Sequence, residues 1–136
     1  TILSESESWN LLASVALGRL VTSVDSQPEI FPVNFVVQHR TTLFRTAQGT
    51  KLVSAVINNR VVFEADEHVV TEGWSVIVKG TARVLHDSAE IEEAERAQLL
   101  PWTATPKLTY VRVIPSVITG RRFRFGAEPD RESTFA

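Results

Sequence analysis

Two cations and two hydroxyl groups are concentrated in the stretch Leu43–Leu52, where a short apolar run leads into a polar loop. Arg45 and Lys51 supply the cations, and Thr46 and Thr50 supply the hydroxyls. Cationic side chains beside the exposed N–H groups of a helix start are suited to binding phosphate. The stretch therefore predicts phosphate binding. A solvated strand-to-helix turn capped by Thr50 explains the same residues equally well, because the spacing matches neither a Walker nor a Rossmann motif.

The strand predicted over Glu29–Gln38 is a second candidate for ligand contact. Alternate residues from Phe31 to Val37 are apolar and form its core-facing side. Pro32 lies on the other side and has no N–H to give to a ladder, so we expect an edge or a bulge there. A broken ladder leaves main-chain groups for a ligand. Asn34 is then either a ligand contact or an ordinary outward polar residue.

Side chains for nucleophilic, acid–base or metal chemistry are scarce. The sequence contains no cysteine, and its three histidines are scattered through predicted turns and connections. Neither a catalytic triad nor a metal site is predicted from such an arrangement. The two stretches above therefore indicate binding of a ligand and not catalysis by side chains.

The composition is that of one folded domain. The chain has 136 residues, of which 43% are hydrophobic and 22% charged. A net charge of -2 gives no basic field for nucleic acid. No apolar run approaches the roughly 20 residues that span a bilayer, and the N-terminus does not resemble a secretion signal. We therefore expect a cytoplasmic protein that binds neither nucleic acid nor membrane.

The periodicity predicts mainly β structure with flanking helices, arranged as a six- to seven-stranded antiparallel barrel in residues 1–125, followed by a polar tail in 126–136. Ser4 and Glu7 form a capping box for the first helix, and Gly18 is expected to end it. The long fifth strand is expected to be central and buried on both faces, with a bend at Gly80. The predicted helices are Ser6–Leu17, Thr50–Asn58 and Asp87–Leu100, and the predicted strands are Arg19–Val24, Glu29–Gln38, Thr42–Thr46, Arg60–Asp66, Gly73–Leu85, Leu108–Ile114 and Val117–Phe125.

A barrel of this size fills its interior with side chains, so a sizeable ligand has to sit outside it. The natural place is a groove between two subunits. Phe123 and Phe125 on the last strand either cover a partner or close the core, and the sequence pattern does not separate these alternatives.

A series of short motifs runs along the chain. They are Leu17-Gly18-Arg19-Leu20, Pro32-Val33-Asn34-Phe35, Phe44-Arg45-Thr46, Gly49-Thr50-Lys51-Leu52, Val62-Phe63-Glu64 with Asp66, Gly73-Trp74-Ser75-Val76, Lys79-Gly80 and Ile118-Thr119-Gly120-Arg121-Arg122. Their order and spacing, from about Trp9 to Phe125, resemble the pyridoxamine 5'-phosphate oxidase-like flavoproteins. By that resemblance the fold is a split β-barrel, the protein is a homodimer, and flavin mononucleotide (FMN) lies at the subunit interface.

The same resemblance assigns roles to residues of this chain. By this resemblance, the phosphate group of the cofactor binds Arg45, Thr46, Thr50 and Lys51. The flavin ring lies along Pro32, Val33 and Asn34. Arg121 is similar to a basic residue that reaches the flavin from the other subunit, with Arg122 and Arg124 as close competitors. Trp74 and Trp102 either border the ring or have core and lid roles.

The resemblance implies a flavin-dependent oxidoreductase that passes a hydride between a reduced nicotinamide and a small planar acceptor. The chain lacks the basic residue and lysine pattern that true pyridoxamine phosphate oxidases carry on the strand matching Phe31 to Val37. Oxidation of pyridoxamine phosphate is therefore not expected. The alternatives are a non-catalytic protein that stores or senses flavin, deazaflavin or haem, and a structural dimer whose groove is empty.

Overall fold

The computed structural model of the protein describes residues 1–47, 52–53, 59–97 and 108–126. Six strands and two helices have their full bounds within these ranges. In chain order they are α1 (Glu5–Leu12), β1 (Leu17–Val24), β2 (Gln27–Gln38), β3 (Thr41–Ala47), β4 (Arg60–His68), β5 (Glu72–Val84), α2 (Ser88–Glu95) and β6 (Leu108–Arg124). The predicted helix over 50–58 and the tail over 127–136 lie almost entirely outside the described residues.

The six strands form a closed antiparallel barrel in the order β1-β2-β3-β6-β5-β4. The ring closes where β1 meets β4, with Arg19 opposite Glu64. It also depends on β6, which pairs with β3 along one side and with β5 along the other. This architecture confirms the predicted mainly β split barrel with six strands.

The two last predicted strands are in fact one continuous strand, β6, so the separation expected at Pro115 and Ser116 was wrong. The register on β5 shifts between Lys79 and Gly80, which leaves Ser116 as an extra residue in a bulge. The Ser116 hydroxyl donates a hydrogen bond to the Lys79 carbonyl at 3.0 Å. A bulge tolerates the missing N–H of proline, and it lies at the bend predicted from Gly80.

Apolar side chains from all six strands and from α1 fill the barrel. Phe35 and Phe63 meet edge to face with ring centroids 4.7 Å apart. Trp9 and Leu12 of α1 belong to the same core, so this helix closes one end of the barrel. The buried members are Trp9, Leu12, Leu20, Val33, Phe35, Phe44, Leu52, Val61, Phe63, Ala65, Trp74, Val76, Val78, Ala82, Val111, Val113 and Ile118.

The central strand β5 has neighbours on both sides, as predicted, but only one of its faces is buried. Val76 and Val78 point into the core, whereas Ile77 is half-buried and Lys79 and Thr81 are exposed. The expectation of burial on both faces was therefore wrong for the single chain. In the single chain, the outer face of β5 is therefore accessible to another molecule.

The first helix begins as predicted and ends earlier. The Ser4 hydroxyl accepts a hydrogen bond from the Glu7 N–H at 3.1 Å, and the Glu7 carboxylate accepts one from the Ser4 N–H at 3.1 Å. The helix ends at Leu12 instead of Leu17. Gly18 does not end the helix but lies inside β1, where a side chain would overlap the ring of Phe63, so the position requires glycine.

Replacement of Ser4 by alanine is expected to lower the free energy of unfolding by about 1 kcal/mol, because it removes an acceptor for a helix N–H group. Ser4→Asp retains an acceptor at the cap and should stay close to the wild-type stability. Urea unfolding followed by tryptophan fluorescence compares the three proteins. Equal losses in both variants would contradict this role of the Ser4 side chain.

The second helix covers part of the outside of the barrel. Asp87 caps it by accepting a hydrogen bond from the Ala89 N–H at 2.8 Å. Ala94 packs with Leu43 and Leu85 in a second buried cluster on the outer face of the sheet. The helix ends at Glu95, before the predicted Leu100, and residues 98–100 lie outside the described ranges.

Within the described residues, neither helix has the length and apolar character needed to cross a membrane.

Candidate functional site

The strand β2 has a free edge along most of its length. It pairs with β1 from Gln27 to Asn34, but with β3 only from Phe35 to Gln38. Over Gln27 to Asn34, the side facing away from β1 therefore has no ladder partner among the described strands. The edge expected from Pro32 is present, and β2 and β3 separate at Asn34.

The direction of the main-chain groups on this edge follows from one hydrogen bond. The Phe35 N–H donates to the Ala16 carbonyl at 3.0 Å, so Phe35 directs its N–H towards β1. Main-chain groups alternate in direction along an antiparallel strand. The N–H of Asn34 and the carbonyls of Pro32 and Asn34 therefore point towards the free edge. Because proline has no N–H, Asn34 is the one of these two residues that offers a main-chain donor to a ligand.

Asn34 and Arg45 occupy corresponding positions where the two strands separate. The β2–β3 ladder ends at the pair Phe35 and Phe44, and one further step would place Asn34 opposite Arg45. Both residues lie on the outer side of the barrel. Val36 follows Asn34 by two residues and Leu43 precedes Arg45 by two, and both pack in the outer cluster under α2. Asn34 and Arg45, one from each predicted ligand stretch, therefore lie on the same outer face, each one residue beyond the last β2–β3 pair.

The predicted phosphate-binding residues are only partly within the described structure. Arg45 and Thr46 are half-buried neighbours on β3. Because Phe44 points into the core, Thr46 lies on the inner face and Arg45 on the outer face. A ligand outside the barrel can meet the Arg45 side chain directly. Thr50 and Lys51 lie outside the described residues.

The other predicted site residues on β2 are not equivalent. The Pro32 side chain is exposed on the outer face. Val33 is 7% exposed and packs in the core, and its main chain pairs with Gly18 of β1. Val33 therefore supports the edge from inside, while Pro32 and Asn34 form the surface that a ligand would touch.

A pocket of about 460 Å³ lies next to Asn34. Its walls are the connection from α1 to β1, the second half of β2 and the end of α2. None of the side chains lining it is charged, and most are small or apolar. A volume of this order accommodates a ring-sized group. The lining residues are Ala13, Ser14, Val15, Ala16, Asn34, Phe35, Val36, Val37 and Ala97.

Arg121 is not brought to Arg45 within one chain. Arg45 pairs with Tyr110 of β6, and Arg121 lies eleven residues further along the same strand, opposite Ser75. That is roughly 36 Å of extended strand at about 3.3 Å per residue. Arg121 is exposed on the outer face. If it contacts the same ligand as Arg45, it does so from a second copy of the chain.

Of the two tryptophans expected either to border the ring or to have core and lid roles, only Trp74 lies within the described residues. Trp74 is 7% exposed and belongs to the barrel core, as in the core alternative for this residue. Trp102 lies outside the described residues. Phe123 and Phe125 do not close the core. They are 40% and 48% exposed and meet each other edge to face, with centroids 5.3 Å apart.

A cluster of charges on the outer sheet face was not predicted from the sequence. The Arg19 Nη1 atom lies 2.7 Å from Glu64 Oε1 and 3.3 Å from Asp66 Oδ2. Burial and the neighbouring Asp66 raise the pKa of Glu64 to about 7, against the opposing effect of Arg19. A signal was present in the sequence, since Glu64 and Asp66 are two residues apart in an apolar strand and must share a face.

Metal binding finds no support in the described part of the chain, where no group of three His, Asp or Glu residues could hold an ion. His39 Nε2 instead lies 3.1 Å from Glu93 Oε1. His68 packs edge to face against Phe125, with ring centroids 6.2 Å apart.

Solved structures with the same fold include close relatives. The FAD-binding protein from Mycobacterium smegmatis is 68% identical, with a TM-score of 0.87 over 93% of this chain and 100% of that chain. A conserved protein of unknown function from Corynebacterium diphtheriae, DIP1874, is 37% identical, with a TM-score of 0.79 over 92% of this chain and 98% of that one.

Sequence comparison gives the same result. The uncharacterized protein Rv3129 of Mycobacterium tuberculosis is 67% identical over 101 residues, which are 74% of this chain and 92% of that protein. The family model described as pyridoxamine 5'-phosphate oxidase matches residues 4–122, nearly the whole of the described barrel. With its order of strands and its free β2 edge, the chain belongs to the pyridoxamine 5'-phosphate oxidase-like family.

Proposed function

We propose that the protein binds a flavin nucleotide along the free edge of β2, with the cofactor's phosphate against Arg45, and uses it as an oxidoreductase. The observation that carries this proposal is the free edge of β2, which ends at Asn34 where β2 and β3 separate, with Arg45 one residue beyond the last paired residue of β3. The groups that we assign to the ring and to the phosphate would then share one outer surface of the barrel. The similarity to an FAD-binding protein at 68% identity supports a flavin as the ligand.

The residues of this site fit the two ends of a flavin nucleotide. The Asn34 N–H and the carbonyls of Pro32 and Asn34 supply one donor and two acceptors along the free edge. The flavin ring system also carries both donors and acceptors on its polar edge. The guanidinium of Arg45 can form a charge-assisted pair with a phosphate. Both FMN and FAD carry a phosphate at this end, so Arg45 suits either of them.

The identity of the nucleotide is open to direct measurement. We propose FMN as the cofactor that the site minimally requires, whereas the M. smegmatis relative is an FAD-binding protein. Heat release of the cofactor from purified protein, followed by chromatography and mass measurement, separates FMN, FAD and a deazaflavin. Recovery of haem, or uptake of none of the added flavins, would contradict the proposal.

We also propose that the protein is a homodimer with the cofactor at the subunit interface. The supporting observation is the eleven residues of β6 that separate Arg121 from Tyr110, the partner of Arg45, which favour the supply of Arg121 to this site by a second copy. A two-fold dimer would supply Arg121 from the second copy. Sedimentation of the purified protein tests the stoichiometry.

The chain's own residues would bind, orient and shield the reactants. When bound, a flavin supplies hydride transfer. Asn34 would fix the polar edge of the ring, and Arg45 would hold the phosphate. The pocket beside Asn34 has no charged lining, so it would favour a small, neutral, planar substrate and would exclude water from the ring.

Turnover separates this proposal from the alternative of a non-catalytic flavin carrier. The purified holoprotein is expected to be yellow and to lose its colour with NADH or NADPH in the absence of oxygen. Addition of a planar acceptor such as a quinone should restore the colour. Yellow protein that neither nicotinamide can bleach would contradict nicotinamide-dependent reduction and favour the carrier.

A further inference from the structure

We propose that the outer sheet face around Arg19, Glu64 and Asp66 is an interface with a second copy of the chain, and that the interface takes up a proton when the two copies join. This inference rests on the homodimer proposed above and adds where the two copies meet and how pH controls them. We call this surface the carboxylate face.

The Arg19 guanidinium contacts both carboxylates of the carboxylate face. Arg19 of β1 lies opposite Glu64 of β4, and its Nη1 atom approaches the carboxylates of both Glu64 and Asp66. One guanidinium cannot neutralise two carboxylates, so the cluster carries a net charge of -1 when both are ionised. Uptake of one proton by the pair makes the cluster neutral.

The cluster is set in an apolar surface. Strand pairing links Ile30 to Val21, Val21 to Val62, Val62 to Lys79 and Lys79 to Val117 in one row across five strands. In this row Ile30 is 67% exposed and Val117 is 50% exposed. Val21 and Val62 are half-buried, and the exposed Lys79 interrupts the row before Val117. Exposed apolar side chains on both sides of a charged cluster are typical of a protein interaction surface.

A second copy of this chain is the occupant that the surface fits. In a two-fold contact the same patch meets itself, so apolar side chains such as Ile30 would be covered, and Lys79 of one copy could approach the net negative cluster of the other. The face also continues to Arg121, which is exposed on β6 and would have to serve a second copy's site. Covering the carboxylate face therefore places Arg121 at the boundary between the copies.

The charges around Glu64 determine which carboxyl group takes the proton. The Glu64 side chain is 23% exposed and that of Asp66 is 43% exposed, so burial acts more on Glu64. Burial and Asp66 raise its pKa to about 7 in the single chain. The same two carboxylates raise the pKa of Arg19, which stays cationic.

The neighbouring positions do not supply a second cation to the cluster. Ile77 of β5 lies opposite Glu64, and Pro32 of β2 lies opposite Arg19. The nearest other cations on the face are Lys79, which lies opposite Val62 one row from Glu64, and Arg121, which lies two strands from Asp66 across Ser75. Removal of water by a second copy would therefore raise the pKa of Glu64 further.

The direction of the pH effect follows from this rise. A group with a higher pKa in the dimer than in the free chain binds a proton on association. The dissociation constant should be flat below about pH 7, where Glu64 is protonated in both states. Above that pH it should increase by up to about a hundredfold per pH unit, because each of the two copies has to bind one proton.

The test is the dissociation constant of the full chain between pH 6 and pH 9, measured by sedimentation equilibrium. If the dimer does not dissociate on dilution, the rate of subunit exchange between labelled copies is measured in place of the dissociation constant. This rate should rise with pH. Glu64→Gln mimics the protonated carboxyl, so its constant should stay flat across the range. Asp66→Asn removes the second carboxylate and should shift the pH dependence to lower pH.

Glu67→Gln is the matched control, because Glu67 is an exposed carboxylate of the same strand that pairs with Trp74. It should keep the wild-type pH dependence. A dimer whose constant or exchange rate does not change with pH would overturn the proton uptake alone, and so would a Glu64→Gln variant that keeps the wild-type dependence. A monomer at every pH would overturn the homodimer itself.

Discussion

Replacement of Arg45 by alanine is expected to weaken FMN binding by about ten- to a hundredfold and to leave riboflavin binding nearly unchanged. Only FMN has the phosphate that we assign to the Arg45 guanidinium. A hydrogen bond to a charged group contributes about 1.5–3 kcal/mol, which corresponds to this loss of affinity. Titration of the apoprotein with each flavin, followed by flavin fluorescence, measures both dissociation constants.

Arg60→Ala is the control for Arg45→Ala, because Arg60 is an exposed arginine at the start of β4, away from the β2–β3 separation. It should bind both flavins as the wild type does. Lys51→Ala added to Arg45→Ala should deepen the loss for FMN, as the sequence predicts for the second cation. Equal weakening of FMN and riboflavin in Arg45→Ala would mean that Arg45 supports the fold of the site and does not hold the phosphate.

Replacement of Gly80 by alanine is expected to lower the free energy of unfolding by about 3 kcal/mol or more. A Cβ atom at Gly80 would overlap the Ile114 carbonyl oxygen and would lie 2.8 Å from its carbon and 3.0 Å from the Pro115 Cα. These atoms belong to the backbone of the bulge. They cannot move away without disturbing the β5–β6 ladder, so the overlap cannot be relieved by a change of rotamer.

Gly126→Ala is the matched control, because a Cβ atom at Gly126 would have no heavy atom within 4 Å. Urea unfolding of the two variants and the wild type gives the comparison. If Gly80→Ala does not fold in the cell, recovery of soluble Gly126→Ala under the same conditions gives the same distinction. A Gly80→Ala protein as stable as wild type would show that the bulge can shift without cost.

Local sequence patterns were sufficient for the strands and for the free edge. Alternation placed Phe35 and Val37 towards the core because the side-chain direction repeats every two residues, whatever the partner strand is. Pro32 predicted the edge because its lack of an N–H is a property of the residue itself. The Ser4 and Glu7 capping box was predictable for the same reason, since all its atoms lie within one turn.

Features that depend on distant residues could not be predicted in this way. Gly18 has the signature of a helix end, but it is required in β1 because the ring of Phe63, which is remote in the chain, leaves no space for a side chain. The continuity of β6 past Pro115 depends on the register that β5 imposes. The contact of Arg19 with Glu64 likewise exists only because β1 and β4 close the ring.

In the candidate site too, the features that depend on nearby residues were predictable from the sequence, and those that depend on distant residues were not. Arg45 was selected from its neighbours in the sequence, and the structure adds that Asn34 reaches the same point where β2 and β3 separate. The separation of Arg45 from Arg121 could not be obtained from the pattern of β6, because it requires the register of that strand against both β3 and β5.

The position of β6 in the ring also determines the order in which the protein can fold. One edge of β3 pairs with β2, but its other edge pairs with β6, where Thr42 lies opposite Val113. During synthesis β1, β2 and β3 can form a meander early, but the ring cannot close until the last strand has left the ribosome. Pairings that span so much of the chain fold slowly, typically in milliseconds to seconds for β-rich domains. Until closure, the edges of β3 and β5 that later pair with β6 are open to pairing with other chains.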